Sequence, residues 1–185
     1  FVKSNKEEVE ISLDSDIINI FLPEKQYDKY LEFKNNSLYN DLIISLTDIH
    51  AGIEIDSFFN KYNTKILHER LNKYLDKIFE VQLRHGSENA YVILSELVSG
   101  IIHNTLRIEN NQNLIEQFLT IINYTAEFLT EISYRFNTVN VYVCPGNHSR
   151  INAKKEDSLK GENIDHLALP FLEAKLQNFK NVLFY

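Results

Sequence analysis

Asp48 and His50 lie two residues apart, directly after the apolar run 42–46, and their side-chain types bind metal ions. Residues i and i+2 leaving a strand point to the same side, so the carboxylate and the imidazole can reach one ion. In α/β sheets such sites lie at the carboxyl ends of the strands. The Asp-X-His pattern alone fits a polar loop with a capping aspartate equally well, so its meaning depends on what else lies beside it.

Two further apolar runs end in polar residues of the same kind. The second run leads to Glu96, and the third leads to Asn147 and His148. A carboxylate directly after a buried strand is costly unless it is solvated, paired or bound to an ion. Asp48, Glu96 and Asn147 are separated by 48 and 51 residues, which fits one strand-helix unit each. Because parallel strands end at one edge of a sheet, we expect the three clusters to converge there.

The segments between these clusters are predicted to alternate between strands and helices. Apolar residues at intervals of three and four predict helices, and short runs rich in branched residues predict strands. The predicted helices are 56–83, 103–136 (divided near 110–113) and 163–176 (interrupted near Pro170), and the strands are 42–46, 91–94, 139–143 and 182–185. This order predicts the α/β class, with largely parallel strands and helices on both faces of the sheet.

Length and composition limit the possible organisation. The 185 residues, 44% of them hydrophobic, predict one domain with a real core. Residues 1–40 are poorly patterned and are predicted to form an N-terminal appendage to a core at 41–185. The chain does not begin with Met and ends in a strand pattern, which predicts a fragment of a longer protein.

Charge, cysteine content and hydropathy narrow the function classes. A net charge of −7 argues against a broad nucleic-acid-binding surface, although metal ions could reverse the local field for a phosphate substrate. The single cysteine, Cys144, which we expect in the core, excludes an internal disulfide and is typical of a reducing cytoplasm. No apolar run approaches the roughly 18 residues of a membrane span.

The three clusters together resemble the motifs of the calcineurin-like metallophosphoesterase superfamily. The matching residues are Asp48-Ile49-His50, the carboxylate of Glu96, and Gly146-Asn147-His148. The loop 144–150 and the segment 99–107 are most similar to bacteriophage and prophage members, which are often grouped with DNA-repair exonucleases. The resemblance covers residues 41–185 and implies a metallophosphoesterase-like four-layer α/β/β/α sandwich, truncated here to its N-terminal portion.

The resemblance also implies a role for each motif residue. Asp48 and His50 would bind one metal ion, and Asn147 would bind a second. Glu96 would bridge both ions. His148 would be catalytic, contacting the substrate phosphate and stabilising the charge that develops there. The remaining histidine ligands of the family come from later strands, beyond the end of this chain.

The implied cofactor is a pair of divalent ions, Mn²⁺ above all, with Fe or Zn²⁺ as alternatives. Carboxylate, amide and imidazole donors suit these ions, and two ions about 3.5–4 Å apart can activate a water molecule for attack on phosphorus. The implied function is a metal-dependent phosphoesterase that hydrolyses phosphodiester bonds, and a nuclease if those bonds are in DNA.

Two departures from the family pattern keep other functions open. Ser95-Glu96 stands where the family has Gly-Asp, and the longer side chain would change metal spacing or affinity. Ser149 stands where an acidic residue normally orients the histidine, so His148 would be held less firmly. These departures favour an alternative, a catalytically degenerate binding or scaffold module in phage DNA metabolism. A phosphomonoesterase is a third possibility.

Three residues near the motifs are candidates for substrate binding: His103, Arg107 and Arg150. His103 could lie at the rim of the site or simply bond to backbone at a helix start. Arg107, one helical turn later, could bind phosphate or pair with Glu109 at the surface. Arg150 begins a basic cluster that could steer a polyphosphate or form a solvated loop. Asp165 beside His166 resembles a second Asp/His pair but is predicted to belong to a helix-cap region.

Overall fold

The computed structural model describes residues 40–185, so the appendage predicted before them lies outside the described part. The strands are β1 (Asp41–Leu46), β2 (Ile55–Asp56), β3 (Lys61–Tyr62), β4 (Asn89–Leu94), β5 (Thr138–Val143) and β6 (Val182–Phe184). The helices are α1 (Thr64–His85), α2 (Asn104–Glu109), α3 (Leu114–Ser133) and α4 (Ala168–Lys175), with 3-10 helices at Lys155–Asp157 and Ile164–Leu167. No helix in this part of the chain is long and apolar enough to cross a membrane.

A parallel four-stranded sheet forms the centre of the fold, with the strand order β1-β4-β5-β6. Its register pairs Leu46 with Leu94, and Leu94 with Val143. Strands β1, β4 and β5 therefore end at the same level, and the loops that follow them begin side by side. The α/β class and the parallel pairing predicted from the sequence are confirmed.

The helices and one face of the sheet share a single hydrophobic core. Ile44, Val92 and Val141 lie on that face, in register, and each is at most 1% exposed. Helix α3 contributes the fully packed Phe128 to the same cluster. Burying these side chains removes apolar surface from water and supplies the main driving force for folding.

The opposite face of the sheet does not belong to this core. Ile43 on that face is 70% exposed, and Tyr91, Tyr142 and Tyr185 stack in a row across it, with ring centroids 6.5 and 5.0 Å apart. Helices on both faces were predicted, and for residues 40–185 this is wrong. The error arose because isoleucine and tyrosine give a strand an apolar run whether or not a helix covers them.

The first helix begins later than its periodicity predicted. Residues 55–62 form the hairpin β2-β3, closed by a bond from the Ser57 N–H to the Asn60 carbonyl (2.9 Å). Asn63 then caps α1 by accepting from the Ile66 N–H at 2.9 Å. Phe59, which fitted the helical spacing, is 93% exposed at the hairpin turn. Turn and cap residues thus overrode the apolar spacing.

The second and third helical regions agree with their predicted interruptions only in part. The division of 103–136 is confirmed, because α2 ends at Glu109 and α3 begins at Leu114. Pro170 does not interrupt α4, since it is the third residue of that helix, where the missing N–H would have no helical partner. The interruption predicted there is instead a change from the 3-10 helix to α4 at Ala168.

Asn113→Ala is expected to lower the free energy of unfolding by about 1 kcal/mol, the usual cost of losing a helix cap. Its side chain accepts from the N–H groups of Ile115 and Glu116, each at 3.0 Å, and Glu116 bonds back to the Asn113 N–H. Urea unfolding followed by circular dichroism measures the change. Asn72→Ala, at an exposed position inside α1, is the control and should not destabilise. Equal stability of the Asn113 variant and the wild type would contradict this assignment.

Candidate functional site

The loops after β1 and β4 run together beyond the ends of their strands. The Ile49 N–H donates to the Glu96 carbonyl and the Ala51 N–H to the Leu97 carbonyl, both at 3.0 Å. The Ser99 N–H returns a bond to the Ala51 carbonyl at 3.1 Å. The first two polar clusters are therefore fixed against each other by backbone bonds, at the sheet edge where the sequence predicted convergence.

Three residues of these loops have left-handed backbone conformations. Asp48, His50 and Glu96 have φ angles of 60°, 51° and 49°, and they are the only non-glycine residues of the described chain with positive φ. Such a conformation costs of the order of 1–3 kcal/mol per residue and concentrates at functional sites. All three are metal-ligand candidates from the sequence, although no sequence pattern predicts the backbone strain.

Asp48 and His50 meet as the i, i+2 spacing predicted. The Asp48 Oδ1 and His50 Nε2 atoms lie 2.6 Å apart. The aspartate side chain is 72% exposed and the histidine side chain 19% exposed. The Nδ1 atom of His50 is buried and has no partner within the described residues. The pair thus holds one carboxylate oxygen and one ring nitrogen in direct contact with each other.

Glu96 and Asn147 are brought together from the loops after β4 and β5. The Asn147 N–H donates to the Glu96 Oε1 at 3.0 Å. Gly146 makes this approach possible, because a Cβ atom there would lie 1.9 Å from the Glu96 Cγ. Position 146 therefore requires glycine, because a side chain there would clash with the side chain of Glu96.

Three imidazole rings pack beside the two donor pairs. The His148 ring lies 4.3 Å from His50 and 4.6 Å from His103, measured between centroids. The His148 Nδ1 and the His103 Nε2 are buried without a hydrogen-bond partner in residues 40–185. Burial, followed by the neighbouring His50 and His103, lowers the pKa of His148, while Glu96 and Asp48 partly oppose the shift. His148 is therefore held more firmly in its neutral form.

The three candidate substrate-binding residues differ in their placement. His103 precedes α2 but makes no side-chain cap bond, and its ring contacts His148 instead. Arg107 is exposed and forms no ion pair within the described residues, with Glu109 or any other carboxylate. The Arg150 Nε donates to the Asn147 carbonyl at 3.0 Å, so this side chain braces the loop that carries the motif.

Two residues are placed differently from their predictions. Cys144 was expected in the core but is exposed, because it is the first residue beyond β5. Asp165 was interpreted as part of a helix-cap region and does lie in the first turn of the 3-10 helix that Asn163 caps, but it is also fully buried between two of the motif loops. Sequence reasoning missed Asp165 as a site residue, because a lone carboxylate in a helical pattern carries no sign of distant partners.

A cavity of about 510 Å³ adjoins the Asp48–His50 pair on its β1 side. Tyr62, Arg70 and Tyr74 line it together with apolar residues of α1. The Tyr62 hydroxyl donates to the Ile49 carbonyl at 2.6 Å, and burial raises the pKa of Tyr62 to about 12. The first motif loop is therefore braced by the hairpin that follows it.

The donor set fits divalent metal ions in chemistry and, in part, in position. Asp48 with His50 and Glu96 with Asn147 supply the oxygen and nitrogen donors of such ions, and buried ring nitrogens beside them have no hydrogen-bond partner among the described residues. Across residues 40–185, however, no three histidine, cysteine, aspartate or glutamate side chains are grouped closely enough to hold an ion. A complete coordination shell would need rearrangement or further donors.

Comparison with known proteins gives no relative for this chain: no family model, curated protein or solved structure matches it.

Proposed function

We propose that this chain belongs to a metal-dependent phosphoesterase of the calcineurin-like superfamily that hydrolyses phosphodiester bonds, including those of DNA. One observation carries the proposal. Asp48, His50 and Glu96, which the sequence predicts as metal ligands, are also the three non-glycine residues of the described chain with left-handed backbones. Strain concentrated on these positions is expected where geometry serves a ligand.

The chain's own side chains divide the work in this proposal. Asp48 and His50 would hold one Mn²⁺ ion, with Fe or Zn²⁺ as alternatives, and Asn147 would hold a second, with Glu96 between them. When bound, such ions supply an activated water and polarise the phosphoryl oxygens. His148, whose lowered pKa favours the neutral ring, would donate a hydrogen bond to a phosphate oxygen.

The exposure of the site favours a phosphodiester over a small monoester. Asp48 is 72% exposed, and a site open at the surface can accept a chain that continues on both sides of the reacting phosphorus. Arg107 is exposed and unpaired in the described part of the chain, so it would meet a neighbouring phosphate. His103 and Arg150 would border the same path.

The proposal extends to the fold, because one face of the sheet is largely uncovered in residues 40–185. The sheet face that carries Ile43, Leu183 and Tyr185, which are 70%, 41% and 58% exposed, would pack against a second sheet. That arrangement would complete a four-layer α/β/β/α sandwich, in which residues 41–185 form one α/β half. We also propose a phage or prophage origin, on the resemblance of the motif loops, and a cytoplasmic setting, because the sequence has a single cysteine.

A second candidate function has a specific observation in its favour. No group of three ionisable ligands is assembled within residues 40–185, and Ser95-Glu96 replaces the residues usual at the bridging position. A catalytically degenerate module that binds nucleic acid or a partner would tolerate both. Such a module would hold one ion or none.

Hydrolysis assays on the full-length protein with Mn²⁺ separate these functions. We expect a chromogenic phosphodiester to be hydrolysed faster than the matching monoester, and chelation of the metal to abolish both reactions. Hydrolysis of the monoester alone would favour a phosphomonoesterase. If folded protein with bound Mn²⁺ hydrolyses neither substrate, the proposal of an enzyme is overturned and the binding module is favoured.

A further inference from the structure

Asp165 is a buried carboxylate that contacts the backbone of two motif loops. It lies 69 residues after Glu96 in the chain and is fully buried. Its Oδ2 accepts from the Glu96 N–H at 3.1 Å and from the Gly146 N–H at 3.0 Å. Its Oδ1 accepts from the Leu97 N–H at 3.3 Å. One carboxylate thus joins the loop after β4 to the loop after β5.

The partners of this carboxylate are unusual for a buried charge. No lysine, arginine or histidine among residues 40–185 forms an ion pair with Asp165. Burying an unpaired carboxylate is costly, and hydrogen bonds from backbone N–H groups to an ionised acceptor are among the strongest in proteins. The three N–H donors therefore both satisfy the carboxylate and are fixed by it.

The segment that carries Asp165 is itself anchored to the same loop. The Asn163 Nδ2 donates to the Gly146 carbonyl at 2.7 Å, and its Oδ1 accepts from the Asp165 N–H at 2.9 Å. The Ile164 N–H donates to the Ser149 carbonyl at 2.8 Å. Residues 163–165 therefore hold the third motif loop at both its glycine and its serine.

The positions that Asp165 fixes are those on which ligand geometry depends. Glu96 has a left-handed backbone at φ 49°, and the bond from its N–H to Asp165 opposes relaxation of that strain. Gly146 directly precedes Asn147, whose N–H bonds to the Glu96 carboxylate. Moving either N–H would move the Glu96–Asn147 donor pair as a unit.

We infer that Asp165 is a positioning residue, which sets the Glu96–Asn147 donor pair for metal binding without touching the metal or the substrate. The effect of Asp165 on metal affinity rests on the proposed function, whereas the link that Asp165 makes between the two loops is independent of that function. Residues that orient metal ligands from behind typically change metal affinity by about 10- to 100-fold when they are replaced.

Asp165→Asn tests the inference, because it keeps the side-chain size but turns an N–H₂ group toward backbone N–H donors. We expect Mn²⁺ binding by calorimetry to weaken about 10- to 100-fold. We also expect the amides of Glu96, Leu97 and Gly146 to lose about tenfold or more of their hydrogen-exchange protection, while amides inside β4 and β5 keep theirs. Asp76→Asn, an exposed carboxylate of α1, is the charge-matched control and should match the wild type in both measurements.

The two readouts distinguish failure of this inference from failure of the proposed function. Wild-type Mn²⁺ affinity in folded Asp165→Asn, or unchanged protection of the three amides, would overturn the positioning role. Absence of Mn²⁺ binding in the wild type would instead overturn the proposed function, and the amide measurement would still decide the role of Asp165. If the variant does not fold, NMR on the wild type can measure couplings across the hydrogen bonds between the Asp165 carboxyl carbon and the three amide nitrogens. Observed couplings would support the inference, and their absence would overturn it.

Discussion

Asp48→Asn is expected to reduce Mn²⁺-dependent phosphodiester hydrolysis by about 100-fold or more, because metal-ion stabilisation of the reacting phosphoryl group is worth several kcal/mol and each 1.36 kcal/mol is about tenfold in rate. Asparagine has the same shape and tolerates the left-handed backbone found at Asp48, φ 60°. The loss would therefore come from the carboxylate charge and not from backbone strain. Steady-state kinetics with a chromogenic diester measure it.

The hairpin that follows the first motif provides the matched control. Asp56 is also an exposed aspartate, 75% exposed, and is paired with Lys61 at 2.9 Å outside the donor pairs. Asp56→Asn should keep wild-type turnover, and both variants should unfold at the wild-type urea concentration. Wild-type hydrolysis by the Asp48 variant would remove Asp48 from the site.

Gly146→Ala is expected to destabilise the fold by roughly 1–3 kcal/mol, the usual cost of overpacking, and to weaken Mn²⁺ binding at the same time. The added Cβ would lie 1.9 Å from the Glu96 Cγ, and 2.9 Å from both the Glu96 Cβ and N atoms. The side chain can move only by breaking its bond from the Asn147 N–H. Urea unfolding and Mn²⁺ calorimetry on the same preparations measure the two effects.

A double-mutant cycle with Glu96→Ala identifies the cause of this destabilisation. Removing the Glu96 side chain beyond Cβ removes the shortest clash, so Gly146→Ala should cost less in that background, with a coupling of about 0.5–3 kcal/mol. Gly86→Ala is the control: its φ is left-handed at 64°, unlike that of Gly146, and among the described residues no atom lies within 4 Å of the added Cβ. That substitution should cost the same in both backgrounds. Equal costs for Gly146→Ala in the two backgrounds would contradict the packing described here.

The convergence of the motif residues followed from local patterns and one rule of topology. Runs such as 42–46 and 139–143 are too short and too β-branched for helices, and parallel strands with helical connections end at a common edge. The structure places Asp48, Glu96 and Asn147 in adjoining loops at that edge. This much of the site could be predicted because it depends on where strands stop.

The features that the sequence could not give depend on contacts between distant segments. Asp165 binds backbone N–H groups, and every non-proline residue has one, so no residue type marks its partners. His50 has a left-handed backbone, with φ 51°. Histidine usually adopts other conformations, so the residue type does not predict this one. The sequence did not predict the hairpin before α1, because Phe59 and Tyr62 have the spacing of apolar residues on one face of a helix.

The most direct test of the central claim is a crystal structure of the full-length protein grown with Mn²⁺, with anomalous scattering recorded at the manganese absorption edge. We expect anomalous density within bonding distance of Asp48 and His50, and a second peak beside Glu96 and Asn147. Manganese found elsewhere, or no peak at these four residues in crystals that contain Mn²⁺, would contradict the claim that the three motif loops form a metal centre.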